Sequence, residues 1–113
     1  MNLQQIKKLL RKTRPERIKV SDVIRNKIEN IHYIKISDVI SHLTNPIKLK
    51  HVETQPSRNP HDETYGLLFE ITKRKRLFIV ITYKSLENKI YIVTAFPTTK
   101  RIERIIKKPR IRG

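Results

Sequence analysis

Apolar residues recur along the chain with two different periods, and the change of period divides it. Leu3, Ile6, Leu9 and Leu10 stand at helical spacing, with Lys7, Lys8, Arg11, Lys12 and Arg14 on the other face and Pro15 as a stop. This predicts a basic amphipathic helix, an N-terminal arm over residues 1–17 suited to packing on the body of the protein, to gripping phosphates, or to both. Two short helices are expected next. Ser21 and Ser37 are each followed by an Asp and then apolar residues, as N-cap residues are. Ile24, Ile28 and Ile31 form the stripe of the first helix, and Val39, Ile40 and Leu43 that of the second, which Asn45 and Pro46 end. Residues 18–24 and 34–40 read almost alike. The same strand-like lead-in and cap chemistry used twice explains this better than a duplication, because nothing else repeats.

From Ile47 the period drops to two. Ile47, Leu49 and His51 alternate with Lys48, Lys50 and Val52, which predicts an edge strand. Residues 53–64 hold Pro56, Ser57, Asn59 and Pro60 and read as a long loop. Tyr65, Leu67, Phe69 and Ile71 share one face of the next strand, and residues 73–76 make a tight basic turn. Residues 77–83 are apolar almost throughout, as a central strand is. A turn at 84–89 leads to the last strand, 90–96, closed by Pro97, and Thr98 or Thr99 then caps a short helix with Ile102, Ile105 and Ile106 inward. Short connections make the last three strands antiparallel neighbours. The expected fold is α+β: N-terminal helices packed on a four-stranded antiparallel meander, with a short C-terminal helix, the body being one domain over residues 18–113.

Charge adds the first functional statement. The chain carries 26 Lys and Arg against 10 Asp and Glu, a net +16 on 113 residues. That balance suits a polyanionic partner, RNA or DNA, or else an acidic protein. With no Cys there is neither a disulfide framework nor a thiolate metal site. Residues 1–10 lack the apolar stretch of a secretory leader, and the longest apolar run, 77–81, is too short for a membrane, so a cytoplasmic protein is expected. Two glycines, Gly66 and Gly113, cannot form a Gly-rich phosphate loop, and the few carboxylates are scattered. Neither a metal nor another cofactor is expected.

RNA cleavage needs neither. A 2′-hydroxyl attacks the adjacent phosphate, one side chain takes its proton, another protonates the leaving 5′-oxygen, and cations stabilise the phosphorane. Four histidines are available, at positions 32, 42, 51 and 61. His32 follows a helix stripe, His51 stands beside Lys50 on the edge strand, and Tyr83 and Thr94 belong to expected central strands. Each also has a plain structural reading: a surface or capping histidine, β propensity for Tyr and Thr, and a solvated hairpin tip for 73–76.

A family resemblance sharpens the choice. His32 leads a segment with Ile36, Val39, Ile40 and Leu43 that ends in Asn45-Pro46, similar to the His-led helix of BrnT toxins. Asp62-Glu63-Thr64-Tyr65-Gly66, Arg76 with the apolar run after it, and the run from Ile90 through Thr94-Ala95-Phe96 to Thr98 resemble that family's later strands. Over its last two thirds the chain thus resembles the ribonuclease superfamily of barnase, EndoU, colicin D and RelE, especially its phage-borne and BrnT-like branches. The resemblance implies a RelE/barnase-like fold and a metal-independent, toxin-like endoribonuclease, often paired with an antitoxin. It implies His32 as a general acid or base, Arg76 as a phosphate or transition-state cation, and Thr94 with Thr98 at the scissile phosphate. Tyr83 joins them from its strand position alone. One departure stands out: BrnT-like members carry Arg where this chain has Phe96, and Lys100 or Arg101 is the expected substitute. The alternative is a non-catalytic nucleic-acid-binding protein. It would use Lys7, Lys8, Arg11, Lys12 and Lys50, the turn residues Lys73, Arg74 and Lys75, and Lys100 and Arg101. Its few aromatics would read single-strand sequence poorly.

Overall fold

A computed structural model describes residues 1–98. In chain order the elements are α1 (Leu3–Lys12), β1 (Ile18–Lys19), α2 (Asp22–Asn30), α3 (Ile36–Thr44), β2 (Leu49–Gln55), β3 (Asp62–Glu70), β4 (Arg76–Lys84) and β5 (Lys89–Thr98). The expected C-terminal helix, with Lys100 and Arg101, lies outside the described residues. The fold is α+β, but the sheet corrects the four-stranded antiparallel expectation. It has five strands in the order β1-β5-β4-β3-β2, and β1 runs parallel to β5 through the pairs Ile18–Ile90 and Lys19–Tyr91. Two residues carry too little pattern to announce a strand, so β1 was legible only as a lead-in to α2.

Cap chemistry explains where the helices begin. The Asn2 side chain accepts the Gln5 N–H at 2.9 Å, and the Gln5 side chain accepts the Asn2 N–H at 2.8 Å, a reciprocal box at the start of α1. Ser21 accepts the Ile24 N–H at 3.2 Å at the start of α2. Ser37 does not cap α3. That helix starts one residue earlier, at Ile36, and Glu29 of α2 accepts the Ile36 N–H at 3.1 Å. Burying Ile36 therefore ties α3 to α2 rather than to its own leading serine.

All three helices cover one face of the sheet. Ile6 and Leu10 of α1, Ile28 of α2 and Ile36, Val39 and Leu43 of α3 share a core with Tyr65, Leu67, Phe69, Leu77, Ile79 and Ile81. The stripe of α2 is narrower than its spacing suggested, since Ile31 is exposed. In β2 a bulge between Leu49 and His51 resets the alternation: Leu49 and Val52 face the helices, while His51 pairs with Leu68 on the other face. β2 also runs farther than expected, to Gln55, and residues 46–48 form a 3-10 turn instead of strand. β5 continues through Pro97, which pairs with Leu77 beyond the reach of β1, on a stretch where the outer side needs no N–H.

The face away from the helices carries a smaller apolar cluster of Leu68, Phe78 and Val80 with Phe96 against it. Gly66 allows this cluster to form. A Cβ there would lie 2.5 Å from Phe78 Cζ and 2.9 Å from the Gln55 side-chain nitrogen. Gly66→Ala is therefore expected to destabilise the protein by about 1–3 kcal/mol, read as a lowered denaturation midpoint at unchanged m-value. An unchanged midpoint would show that the Phe78 ring moves freely.

Candidate functional site

A cleft of about 360 Å³ opens at one end of the sheet. Three pieces of chain meet there: the α2–α3 connection, the side of α3 that carries Asp38 in its first turn and His42 in its last, and the β3–β4 hairpin with the end of β5. Each piece is fixed by local bonds.

The connection ends α2 abruptly. The His32 N–H donates to the Lys27 carbonyl at 3.3 Å and the Ile34 N–H to the Ile28 carbonyl at 3.2 Å. Between them Tyr33 takes a left-handed backbone, φ 55°. For a residue other than Gly or Asn this conformation costs about 1–2 kcal/mol. The turn sets the His32 ring 6.0 Å from the Phe96 ring, and Phe96 in turn lies 5.3 Å from Phe78. Phe96 is thus a packing partner for His32.

The hairpin is built to hold cations outward. The Thr72 hydroxyl accepts the Arg74 N–H at 3.2 Å and the Lys75 N–H at 3.0 Å, and the Lys75 carbonyl accepts the Ile71 N–H at 2.9 Å. Arg76 closes the turn from beneath: Nη1 donates to the carbonyls of Thr72 at 2.9 Å and Lys73 at 2.8 Å, and Nη2 lies 3.6 Å from Glu70. Arg76 is 6% exposed, whereas Lys73, Arg74 and Lys75 are exposed. Arg74, Lys75 and Arg76 all line the cleft, facing the single carboxylate of Asp38 there among the described residues.

Across the β4–β5 ladder Arg76 pairs with Thr98. The Thr98 hydroxyl is buried and has no hydrogen-bond partner among the described residues. A buried, unsatisfied hydroxyl costs about 1–3 kcal/mol unless something arrives to bond it, and Thr98 is one of the residues lining the cationic cleft.

The helix side of the cleft supplies a histidine that the sequence reading did not select. His42 stands on α3 one turn after Asp38, with its ring 5.8 Å from that of Phe69. Burial lowers its pKa below the usual 6.5, and Lys48 lowers it further, with Asp38 opposing. It is therefore held neutral, as an acceptor of protons, at physiological pH. The Asp38–His42 spacing of four on an apolar-striped helix was the available signal.

The cleft thus brings together His32, Arg76 and Thr98 of the expected catalytic set with Arg74 and Lys75 of the expected binding set, and adds His42. It does not include Thr94 or Tyr83. Thr94 pairs with Val80 farther up the ladder. Tyr83 packs against the helix-covered core near the other end of β4, seven residues or about 23 Å from Arg76. Lys7, Lys8, Arg11 and Lys12 of α1 and Lys50 of β2 also lie outside the cleft. A larger hollow, about 640 Å³, lies on the face away from the helices. Its Ser57, Thr64 and Thr82 hydroxyls bond one another at 2.9 and 3.0 Å.

Among the described residues no three His, Cys, Asp or Glu side chains are grouped to hold a metal ion, and no helix is long and apolar enough to cross a membrane. Compared with protein-family models, curated proteins and solved structures, the chain gives no match.

Proposed function

We propose that this protein is a metal-independent endoribonuclease whose site is the His32–His42 cleft. The observation that carries the reading is the buried Thr98 hydroxyl, without a hydrogen-bond partner among the described residues, on a residue that lines a cleft with two imidazoles and the Arg74–Lys75 cations. A phosphate oxygen satisfies that hydroxyl, and the exposed cations neutralise the charge that grows on the phosphorane. Neutral His42 takes the proton of the 2′-hydroxyl as its oxygen bonds to phosphorus. The bond to the 5′-oxygen breaks, and His32 gives that oxygen a proton. The products are a 2′,3′-cyclic phosphate and a 5′-hydroxyl, with all atoms accounted for and no metal required. In this reading Arg76 positions the hairpin, and Arg74 and Lys75 supply the charge that the Arg replaced by Phe96 would have brought.

A non-catalytic RNA-binding protein is the second reading. It is favoured by the bonds that commit Arg76 Nη1 to two backbone carbonyls. One experiment separates the two: incubation in EDTA with a DNA strand carrying a single ribonucleotide. Cleavage after that ribose, leaving a cyclic phosphate, is expected, and Thr98→Val should slow it about 10²-fold. An intact strand, bound with a log–log salt slope of about 0.7 per phosphate, would replace the enzyme by the binding protein.

A further inference from the structure

We infer that Tyr33 is a stacking platform for an unpaired nucleobase, so that the cleft takes single-stranded RNA and not a duplex. The inference rests on the RNA reading of the cleft. Three observations converge. Tyr33 is 87% exposed and lines the lip of the cleft beside His32. Its backbone is left-handed, φ 55°. And its two neighbours are pinned, since the His32 and Ile34 N–H groups are bonded to α2 carbonyls and Ile34 packs on the core.

The other tyrosines have structural uses. Tyr65 bonds Glu63, Tyr91 bonds Glu87, and Tyr83 packs on the core. Among the described residues the other left-handed non-glycine residue is Asn88, a residue type that tolerates this conformation. Folding would favour Gly or Asn at position 33 as well, because an exposed ring gains little by burial to offset the strain. A strained backbone that holds an exposed aromatic ring at the lip of a cationic cleft serves something that is not part of the fold. Every nucleobase presents a π-face, and a base stacked on Tyr33 leaves its backbone within the reach of Arg74, Lys75 and Thr98. In a duplex both base faces are already stacked, so a paired substrate cannot use the ring. One platform confers stacking without sequence reading.

The test uses short 2′-O-methyl RNA, which cannot be cleaved, and measures binding to the full chain at fixed salt. The probes are a single strand, the same strand as a duplex, and an abasic strand with the same number of phosphates. The wild-type protein should prefer the single strand to both others. Tyr33→Phe should bind as the wild type. Tyr33→Gly should melt at a higher temperature yet bind the single strand about tenfold more weakly, with no change toward the abasic strand. Equal binding of the single and abasic strands by the wild type, or undiminished binding by Tyr33→Gly, overturns the inference. The cleavage reading fails separately: a protein that shows this stacking but leaves cleavable RNA intact keeps the platform and loses the nuclease.

Discussion

His42→Ala is expected to slow RNA cleavage by about 10²–10⁴-fold, the usual loss when a positioned acid or base is removed. His32→Ala should fall in the same range. The measurement is the rate of 2′,3′-cyclic phosphate formation under single-turnover conditions. The proposed mechanism gives the two histidines opposite duties, so a substrate with sulfur in place of the 5′-oxygen distinguishes them. A thiolate leaves without a proton, and this substrate should restore His32→Ala but not His42→Ala. Rescue of the wrong variant would exchange the two roles, and full activity in His42→Ala would remove it from the site. The pH profile carries the same logic. Burial and Lys48 lower the His42 pKa below 6.5, so the base is lost by protonation only on the acid side of that value, and the rate should fall there. Stability follows with the same sign. A neutral His42 favours the folded state fully above pH 6.5, and that contribution disappears as pH falls through the lowered folded pKa. The causes of the shift are burial first, then Lys48 after the helix, with Asp38 on the same helix opposing; His32, Arg74, Lys75 and Arg76 line the same cleft.

Phe69→Ala should cost about 3–5 kcal/mol of stability, a large share of the 5–15 kcal/mol that holds a typical domain together. Phe69 is fully buried, pairs with Leu49 on one side and Leu77 on the other, and its ring meets His42. Its removal leaves a cavity at the point where α3 sits on the sheet, and the surrounding strands cannot close over it without breaking two ladders. Urea denaturation should show the midpoint falling at an unchanged m-value. Cleavage measured well below the unfolding transition should fall too, because His42 loses the ring that orients it. Phe69→Leu fills most of the volume and should recover most of the stability while restoring less of the rate. If both variants kept wild-type rates, the Phe69 contact would have no part in holding His42.

Much of the fold was legible because burial imposes a period. The period-two set Tyr65, Leu67, Phe69 and Ile71 does share the helix-covered face, and the near-continuous run of β4 is the central strand. What escaped was set by partners distant in sequence. Ser37 has the right neighbours for a cap, yet Glu29 from another helix performs that work. Ile31 continues the α2 stripe by spacing but has no surface opposite it. His51 was read with Leu49, and the bulge turned it to the other face.

The site divides in the same way. Composition and residue type were sufficient to say that the chain carries a large positive charge, has the groups for metal-free phosphate chemistry, and has its cations clustered in a hairpin at 73–76. These are properties of side chains and do not depend on where they meet. Which of them meet was decided by tertiary structure alone. The ladder that pairs Arg76 with Thr98, the turn that draws the Arg76 guanidinium inward while Arg74 and Lys75 stay exposed, and the packing of α3 on Phe69 bring His42 into the cleft and leave Tyr83 and Thr94 outside it. The physical reason is that a linear pattern records which face each residue prefers, whereas a site is made where elements end, and how those ends meet depends on long-range pairing and packing.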